Sequence, residues 1–262
     1  MHATEREELI LSLIGETGFV AYRDLEEKVA ASPATIRRDL ARLERDGTIQ
    51  RVHGGARSVG NEKIQQGQPA SLTGTPFAKS LEMNLAQKQA IGKAAAMLVK
   101  RGEGIIIDGG TTTFQMCAHL GERNLQVLTN SLHIVNQLLQ FTDTQVLVPS
   151  GPIFREQNII LAPAGEASMP NFHASKLFLG AAAVSTRGIF QSDAVLVASQ
   201  RRLLDAADEV ILLVDSSKLE ASSGAIVCEL DRIDRLITDR RANVDTIESL
   251  RNTGLGNVEL VD

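Results

Sequence analysis

Residues 32–56 read SPATIRRDLARLERDGTIQRVHGGA, and the organisation of the N-terminal region turns on them. Ser32 is a good N-cap, and Pro33 suits the first helical position, where a backbone N–H would be unpaired anyway. Ile36, Leu40 and Leu43 recur at i, i+4 and i+7, so the spacing predicts a helix from Pro33 to about Asp46, stopped at Gly47. The opposite face carries Ala34, Arg38, Ala41 and Arg45, flanked by Arg37 and Arg42. Residues 48–53 then alternate like a strand, and Gly54-Gly55 supplies a tight turn, so a hairpin wing is expected. Between Ser32 and Arg57 six arginines stand against three acids, a local charge of +3 in a chain whose formal net charge is −5. A basic patch can therefore bind nucleic acid although the whole chain is acidic.

Two helical patterns precede this stretch. Thr4 can cap the first, which places Leu9, Leu13 and Ile14 on one face and ends at Gly18. The second runs from Tyr22 to Val29, with Leu25 and Val29 four apart. Two helices, a tight turn, a capped basic helix and a wing suit the major groove of double-stranded DNA. The same pattern also fits a small helical bundle with a solvated arginine face.

The motif itself separates these readings. Ser32, Thr35, Ile36, Arg37, Arg38, Asp39 and Leu40, followed by His53-Gly54-Gly55-Ala56, resemble the DNA-binding signature of the DeoR family of bacterial sugar regulators, S-x-x-T-[IV]-R-R-D-[LI] with a wing ending in H-G-G-A. The resemblance implies a winged helix-turn-helix over residues 1–57 that contacts operator DNA through Ser32, Ala34, Thr35, Arg37, Arg38, Arg42, Arg45, Arg51, His53, Gly54 and Gly55. Arg37 and Arg38 point about 100° apart on a helix and cannot both face the bases. Arg38, with Ala34 and Thr35, is expected at base edges and Arg37 on a phosphate. Asp39 is expected to pair with a neighbouring arginine, since carboxylates are less common readers of base edges.

Residues 58–75, SVGNEKIQQGQPASLTGT, are poor in apolar side chains and read as a connector, set at 58–80. Beyond it, over 81–262, short apolar runs alternate with helical patterns. Strands are expected at 104–108, 127–129, 146–148, 176–179, 210–214 and 235–238, and helices around Ile91–Leu98, Thr113–Leu120 and Leu132–Phe141. Continuous apolar strands separated by helices predict an α/β domain built on a mainly parallel sheet covered on both faces. Ligands of such sheets sit beyond the C-terminal strand ends. Polar and glycine-rich clusters fall there: Asp108, Gly109, Gly110, Thr111, Thr112 and Thr113; then Thr129, Asn130 and Ser131; then Ser150 and Gly151; then Gly180; and finally Asp215-Ser-Ser-Lys218. Glycines admit a ligand to the backbone, hydroxyls and amide N–H groups donate to oxyanions, and Lys218 adds a positive charge. These residues suit a phosphate on a polyhydroxylated body.

The elements DGGTTT, LTNS, FLGA, VDSSK and ITD also resemble the DeoR effector domain, whose fold is related to sugar-phosphate isomerases. Together the two resemblances span about residues 5–240. Two departures stand out: Ser80 occupies a place where the family often has arginine, and Ser150 replaces the first of two glycines. Residues 161–168, 188–193 and the C-terminal region resemble the ascorbate-utilisation repressor branch, which implies a sugar-acid or related phosphate as effector.

Composition narrows the remaining classes. A hydrophobic fraction of 43% fits a chain with a well-buried core. No run reaches the ~18 apolar residues of a membrane helix, and the N-terminus lacks the pattern of a secretory signal, so a cytoplasmic location without membrane contact is expected. The two cysteines are far apart and the five histidines scattered, with no metal-ligand spacing. The turn GGTTT is not GxGxxG, and no cofactor is expected. The sequence thus predicts a repressor of a carbohydrate operon, a homo-oligomer (dimer or tetramer) so that two winged helices span adjacent half-sites. An effector would move them through the connector, with release from DNA as the family's expectation. The alternative is a sugar-phosphate isomerase with an appended DNA-binding domain, for which Asp108 and Lys218 are candidate acid–base groups.

Overall fold

The computed structural model describes residues 3–17, 19–22, 25, 28–29, 31–46, 48–52, 55–58, 76–162, 168–219 and 224–262. The chain divides into two compact units, Met1–Gln68 and Pro69–Asp262.

The N-terminal unit opens with the helix Ala3–Thr17. Thr4 lies inside this helix and does not cap it. Ile10 and Ile14 are its buried residues, while Leu9 and Leu13 flank them half-buried. The helix Pro33–Arg45 begins as the sequence requires, with Ser32 Oγ accepting the Thr35 N–H at 3.2 Å. Its apolar stripe, Ile36, Leu40 and Leu43, packs with Ile10, Ile14, Val20, Leu25, Val29, Ile49 and Ala56 into one core. Asp46 is the C-cap, and Gly47 lies outside the described residues. Strands β2 (Ile49–Val52) and β3 (Gly55–Ser58) form the expected antiparallel hairpin. A strand not foreseen, β1 (Phe19–Ala21), pairs on the other side of β3. Three residues are too few for an alternation to register, and the partner of β1 lies far along the chain.

The C-terminal unit is built on a seven-stranded sheet, all of whose pairings are parallel. Its strands are β4 (Gly104–Ile107), β5 (Gln126–Thr129), β6 (Gln145–Leu147), β9 (Ala174–Leu179), β12 (Ala207–Leu213), β14 (Arg235–Asp239) and β15 (Asn257–Val261), in the order β15-β14-β12-β9-β4-β5-β6. Every strand expected from the sequence is present within a few residues. The run Ile105-Ile106-Ile107 is apolar throughout because both sides of the sheet are covered. Ile105 and Ile107, with Phe178, Ile211 and Ile237, face the helices Leu85–Met97, Thr111–Met116 and Leu132–Leu138. Ile106, with Leu177, Leu179, Leu212 and Leu236, faces the helices Ala194–Asp205 and Val244–Asn252.

From β4 the chain steps outward to β5 and β6, then returns to lay β9 on the other side of β4 and steps outward again through β12, β14 and β15. The direction reverses between β4 and β9, so a crevice opens beyond their carboxyl ends. Two smaller sheets were not foreseen: the hairpin β7 (Ile153–Phe154) with β8 (Ile159–Ile160), and the antiparallel β10 (Ala183–Ser185), β11 (Gly188–Gln191) and β13 (Ala225–Cys228). The helix Phe77–Glu82 begins within the stretch read as connector, runs past its end and belongs to the C-terminal unit, where Phe77 meets Phe114 edge-on.

Candidate nucleic-acid interface and ligand cavity

On the Pro33–Arg45 helix, Ala34, Arg37, Arg38 and Arg45 are exposed and Thr35 is half-buried. Arg38 and Arg45 lie on the same side as Ala34, opposite the apolar stripe. The Arg37 guanidinium sits 5.4 Å above the centre of the Tyr22 ring, and the Tyr22 hydroxyl donates to the Pro33 carbonyl at 2.5 Å. Arg37 is thereby held beside the start of the helix, away from Arg38. Asp39 is buried and accepts from both Nε and Nη2 of Arg6, at 2.5 and 3.2 Å, the structural role expected of it. Arg42 forms an ion pair with Glu7 of the first helix, a tie within the unit that the sequence reading had not separated from DNA contact. Arg51 and Gly55 lie on the backbone of the wing, while His53 and Gly54 lie outside the described residues.

In the C-terminal unit a cavity of about 290 Å³ opens at the reversal point between β4 and β9. Of the sequence candidates, Gly109, Gly110, Thr111, Thr112, Gly180 and Lys218 line it. The others form the frame behind it or lie elsewhere. Asp108 is buried, and its carboxylate accepts from Gln200 Nε2 at 2.7 Å and Asn130 Nδ2 at 3.1 Å. Burial pushes its pKa up to about 6, against the opposing pull of Gln200, Asn130 and the Gly180 and Gly109 N–H groups. Asn130 also accepts the Gly109 N–H at 2.8 Å, so it fixes the loop through both ends of its amide. Thr113 donates to the carbonyl of Asp108, Thr129 Oγ1 accepts the Ser131 N–H, and Ser131 caps the Leu132–Leu138 helix. Ser150 and Gly151 are exposed and do not line the cavity.

The structure adds residues the sequence reading passed over. Phe77, Ser80, Met83, Lys88, Gln191 and Asp215 also border the cavity. Lys88 is 2% exposed, and its ammonium donates to the Ser80 carbonyl. Burial lowers its pKa, with the Asp215 carboxylate opposing and Lys218 reinforcing that shift. Asp215 accepts from Asn84 Nδ2 at 2.9 Å and from Ser217. A lysine in register with the apolar face of the helix Leu85–Met97, three residues before Ile91 and seven before Ala95, was the available signal. Cys117 is buried and Cys228 half-buried, both as free thiols. Among the described residues, no helix is long and apolar enough to cross a membrane.

Two family models match the chain, one in each part. Residues 6–62 match the DeoR-like helix-turn-helix domain, and residues 83–240 match the DeoR C terminal sensor domain. The HTH-type transcriptional regulator UlaR of Shigella dysenteriae serotype 1 is 30% identical over 256 residues, 97% of this chain and 98% of the relative. Among solved structures, a probable sor operon regulator from Shigella flexneri aligns at 12% identity and TM-score 0.41, covering 64% of this chain and 89% of that one. Ribose 5-phosphate isomerase A of Methanocaldococcus jannaschii aligns at 18% identity and TM-score 0.38, covering 52% and 54%. A DNA-binding helix-turn-helix joined to a sensor domain across nearly the full length of a curated regulator identifies this chain as a member of the DeoR family of transcriptional regulators.

Proposed function

We propose that this regulator represses a carbohydrate-utilisation operon and leaves its operator when a phosphorylated sugar acid occupies the cavity between β4 and β9. The observation that carries the reading is the pairing of two lysines, Lys88 and Lys218, with the hydroxyls of Thr111 and Thr112 around one cavity. An ammonium donates charge-assisted hydrogen bonds to phosphate oxygens. Gly109, Gly110 and Gly180 let the ligand reach backbone N–H groups, and Asp215 can accept from a ligand hydroxyl. The near-full-length match to UlaR and the resemblance to the ascorbate-utilisation branch favour a sugar acid over a neutral sugar.

In this reading Arg38 and Arg45, with Ala34 and Thr35, meet the major groove, Arg37 and Arg51 meet phosphates, and the wing residues His53, Gly54 and Gly55 approach the adjacent backbone. Two copies of the chain, as a dimer or tetramer, engage paired half-sites, because one short helix gives limited area. Asp108, Asn130 and Thr113 hold the loop from behind. Asp108, the candidate base of an isomerase, is engaged by Gln200 and Asn130 and does not line the cavity, so the reading contains no catalytic step.

Effector-controlled release requires the ligand to prefer the state that does not bind DNA. A coupling of about 1–3 kcal/mol would weaken operator affinity ~5–150-fold. The test is an anisotropy titration with DNA from upstream of the protein's own gene, repeated with pentose, hexose and sugar-acid phosphates and their unphosphorylated parents. Specific binding that one phosphate weakens and its parent does not is the expected result. Failure to bind that DNA specifically at any salt concentration, with turnover of a sugar phosphate, would overturn the proposal.

A further inference from the structure

The segment from Phe77 to Asn84 runs beside the cavity, and the contacts that fix it reach residues of the cavity wall. Phe77 stacks on His133 with ring centres 3.8 Å apart. Ser80 Oγ pairs with Thr111 Oγ1 at 3.3 Å, and the Ser80 carbonyl receives the Lys88 ammonium. Asn84, in the left-handed region at φ 51°, donates to Asp215 at 2.9 Å. Thr111, Lys88 and Asp215 all line the cavity.

The helix Phe77–Glu82 has six residues. A helix so short is marginal without outside support. Its last carbonyls are left open by the helix itself, and Lys88 caps one of them. The ammonium has three N–H donors and is held by a neutral acceptor. A phosphate oxygen is the stronger acceptor for a cation.

We propose that Lys88 is both an effector ligand and the cap of the Phe77–Glu82 helix, and that an anion in the cavity draws its ammonium off the Ser80 carbonyl and loosens that helix. The inference rests on the reading of the cavity as a phosphate-ester site. It assigns Lys88 the link between occupancy and the chain leading to the DNA-binding unit. In sequence, the helix is the first described element after residues 59–75, which join the two units. Loosening so short a helix from its last turn therefore acts on the element that follows that connection.

The test uses the full chain and inorganic phosphate, with chloride at equal ionic strength as the reference. Binding is followed by calorimetry and backbone exposure by hydrogen–deuterium exchange. In the unmodified protein, phosphate is expected to slow exchange at 109–113 and speed it at 78–84. Lys88→Met should weaken phosphate binding about tenfold or more, the loss expected for one charged hydrogen bond. Its 78–84 amides should exchange fast with or without phosphate. Lys88→Arg, which keeps a cation, should restore both readouts in part, and a circular dichroism melt checks that each variant folds. Lys218→Met should weaken binding but leave 78–84 protected in chloride. Phosphate that binds Lys88→Met as tightly as the unmodified protein, while Lys218→Met loses it, overturns this inference and leaves the cavity reading intact. So does bound phosphate that leaves 78–84 protected. No phosphate binding to the unmodified protein overturns both.

Discussion

The two units use polar residues in opposite ways. In the N-terminal unit the functional side chains stand on the outside of a helix, and its apolar stripe does the folding; Arg37, Arg38 and Arg45 are exposed, and Asp39 is the charge that turns inward. In the C-terminal unit many of the polar residues in and behind the cavity are buried: Lys88 on its helix, and Asp108, Thr112, Thr113, Thr129, Asn130, Ser131 and Asp215 at or just beyond the strand ends. Some of these line the cavity and others hold the loops that do. On an exposed face, a basic residue can be removed with little effect on the fold. In a buried frame, structure and recognition share the same hydrogen bonds, and buried polar groups must find partners.

The largest expected effect tests whether the units stand apart energetically. Ile36→Ala empties a fully buried position in a small core, at a cost of about 2–5 kcal/mol. A unit of this size has about that much stability in all. Operator binding should vanish while the main calorimetric transition of the C-terminal unit is unchanged. Phe178→Ala, also fully buried, should cost about 3–5 kcal/mol yet lower only the C-terminal transition. A single transition displaced equally by both substitutions would erase the distinction.

The next effect concerns the buried frame. Burial raises the pKa of Asp108 to about 6 from its ordinary 3.8, so between these values the folded protein holds a proton that the unfolded chain has lost. Its contribution is full below about pH 4, declines as pH rises to 6 and is lost above that, amounting to about 3 kcal/mol. The melting temperature of the unmodified protein, minus that of Asp108→Asn, should fall from pH 4 to 6 and then level off. A difference that is flat across this range would place the Asp108 carboxyl in contact with water.

Arg38→Ala probes the exposed face. It should weaken operator binding by about 1–3 kcal/mol and relax base preference, with no change in melting temperature. Arg42→Ala, whose partner is Glu7, should weaken binding less and alter the N-terminal transition instead. Equal and sequence-independent losses would show that both arginines meet only phosphates. The smallest effect is expected from Arg232→Ala, which removes a pair with Asp205 on the surface. Its melting temperature should barely move, by about 0.5 kcal/mol or less in stability; a larger change would mean that surface pairs matter more in the large unit than in the small one.

This difference between the units also governs what the sequence discloses. Ile36, Leu40 and Leu43 recur with the helical period and name their own face, so the arginines opposite them could be assigned at once. The parallel strands were equally plain, because an unbroken run such as Ile105-Ile106-Ile107 needs cover on both sides. The cavity was legible only in outline. Gly109, Thr111 and Asp108 adjoin in sequence, but backbone direction sends the first two to the cavity and Asp108 behind it. Lys88 comes to the site from a helix before the first sheet strand, and Ser80 offers its carbonyl and not its side chain alone. Main-chain acceptors carry no signature in a sequence. β1 and the β7–β8 hairpin escaped for a simpler reason: each is too short for periodicity to show.

Glycine serves two distinct purposes in the C-terminal unit. At Gly188 and Gly224 the backbone is left-handed, and a Cβ would lie 2.2 Å from the Cys228 carbonyl oxygen and 2.5 Å from that of Gln191. Alanine at either position breaks the β10-β11-β13 sheet whatever ligand the protein serves. At Gly180 an added methyl would meet nothing nearer than the Gly110 Cα at 3.9 Å, across the mouth of the cavity. A lineage that lost its effector could drift to alanine there without unfolding, yet stay fixed at 188 and 224. Alanine at position 180 should therefore alter what the cavity accepts and leave the fold intact.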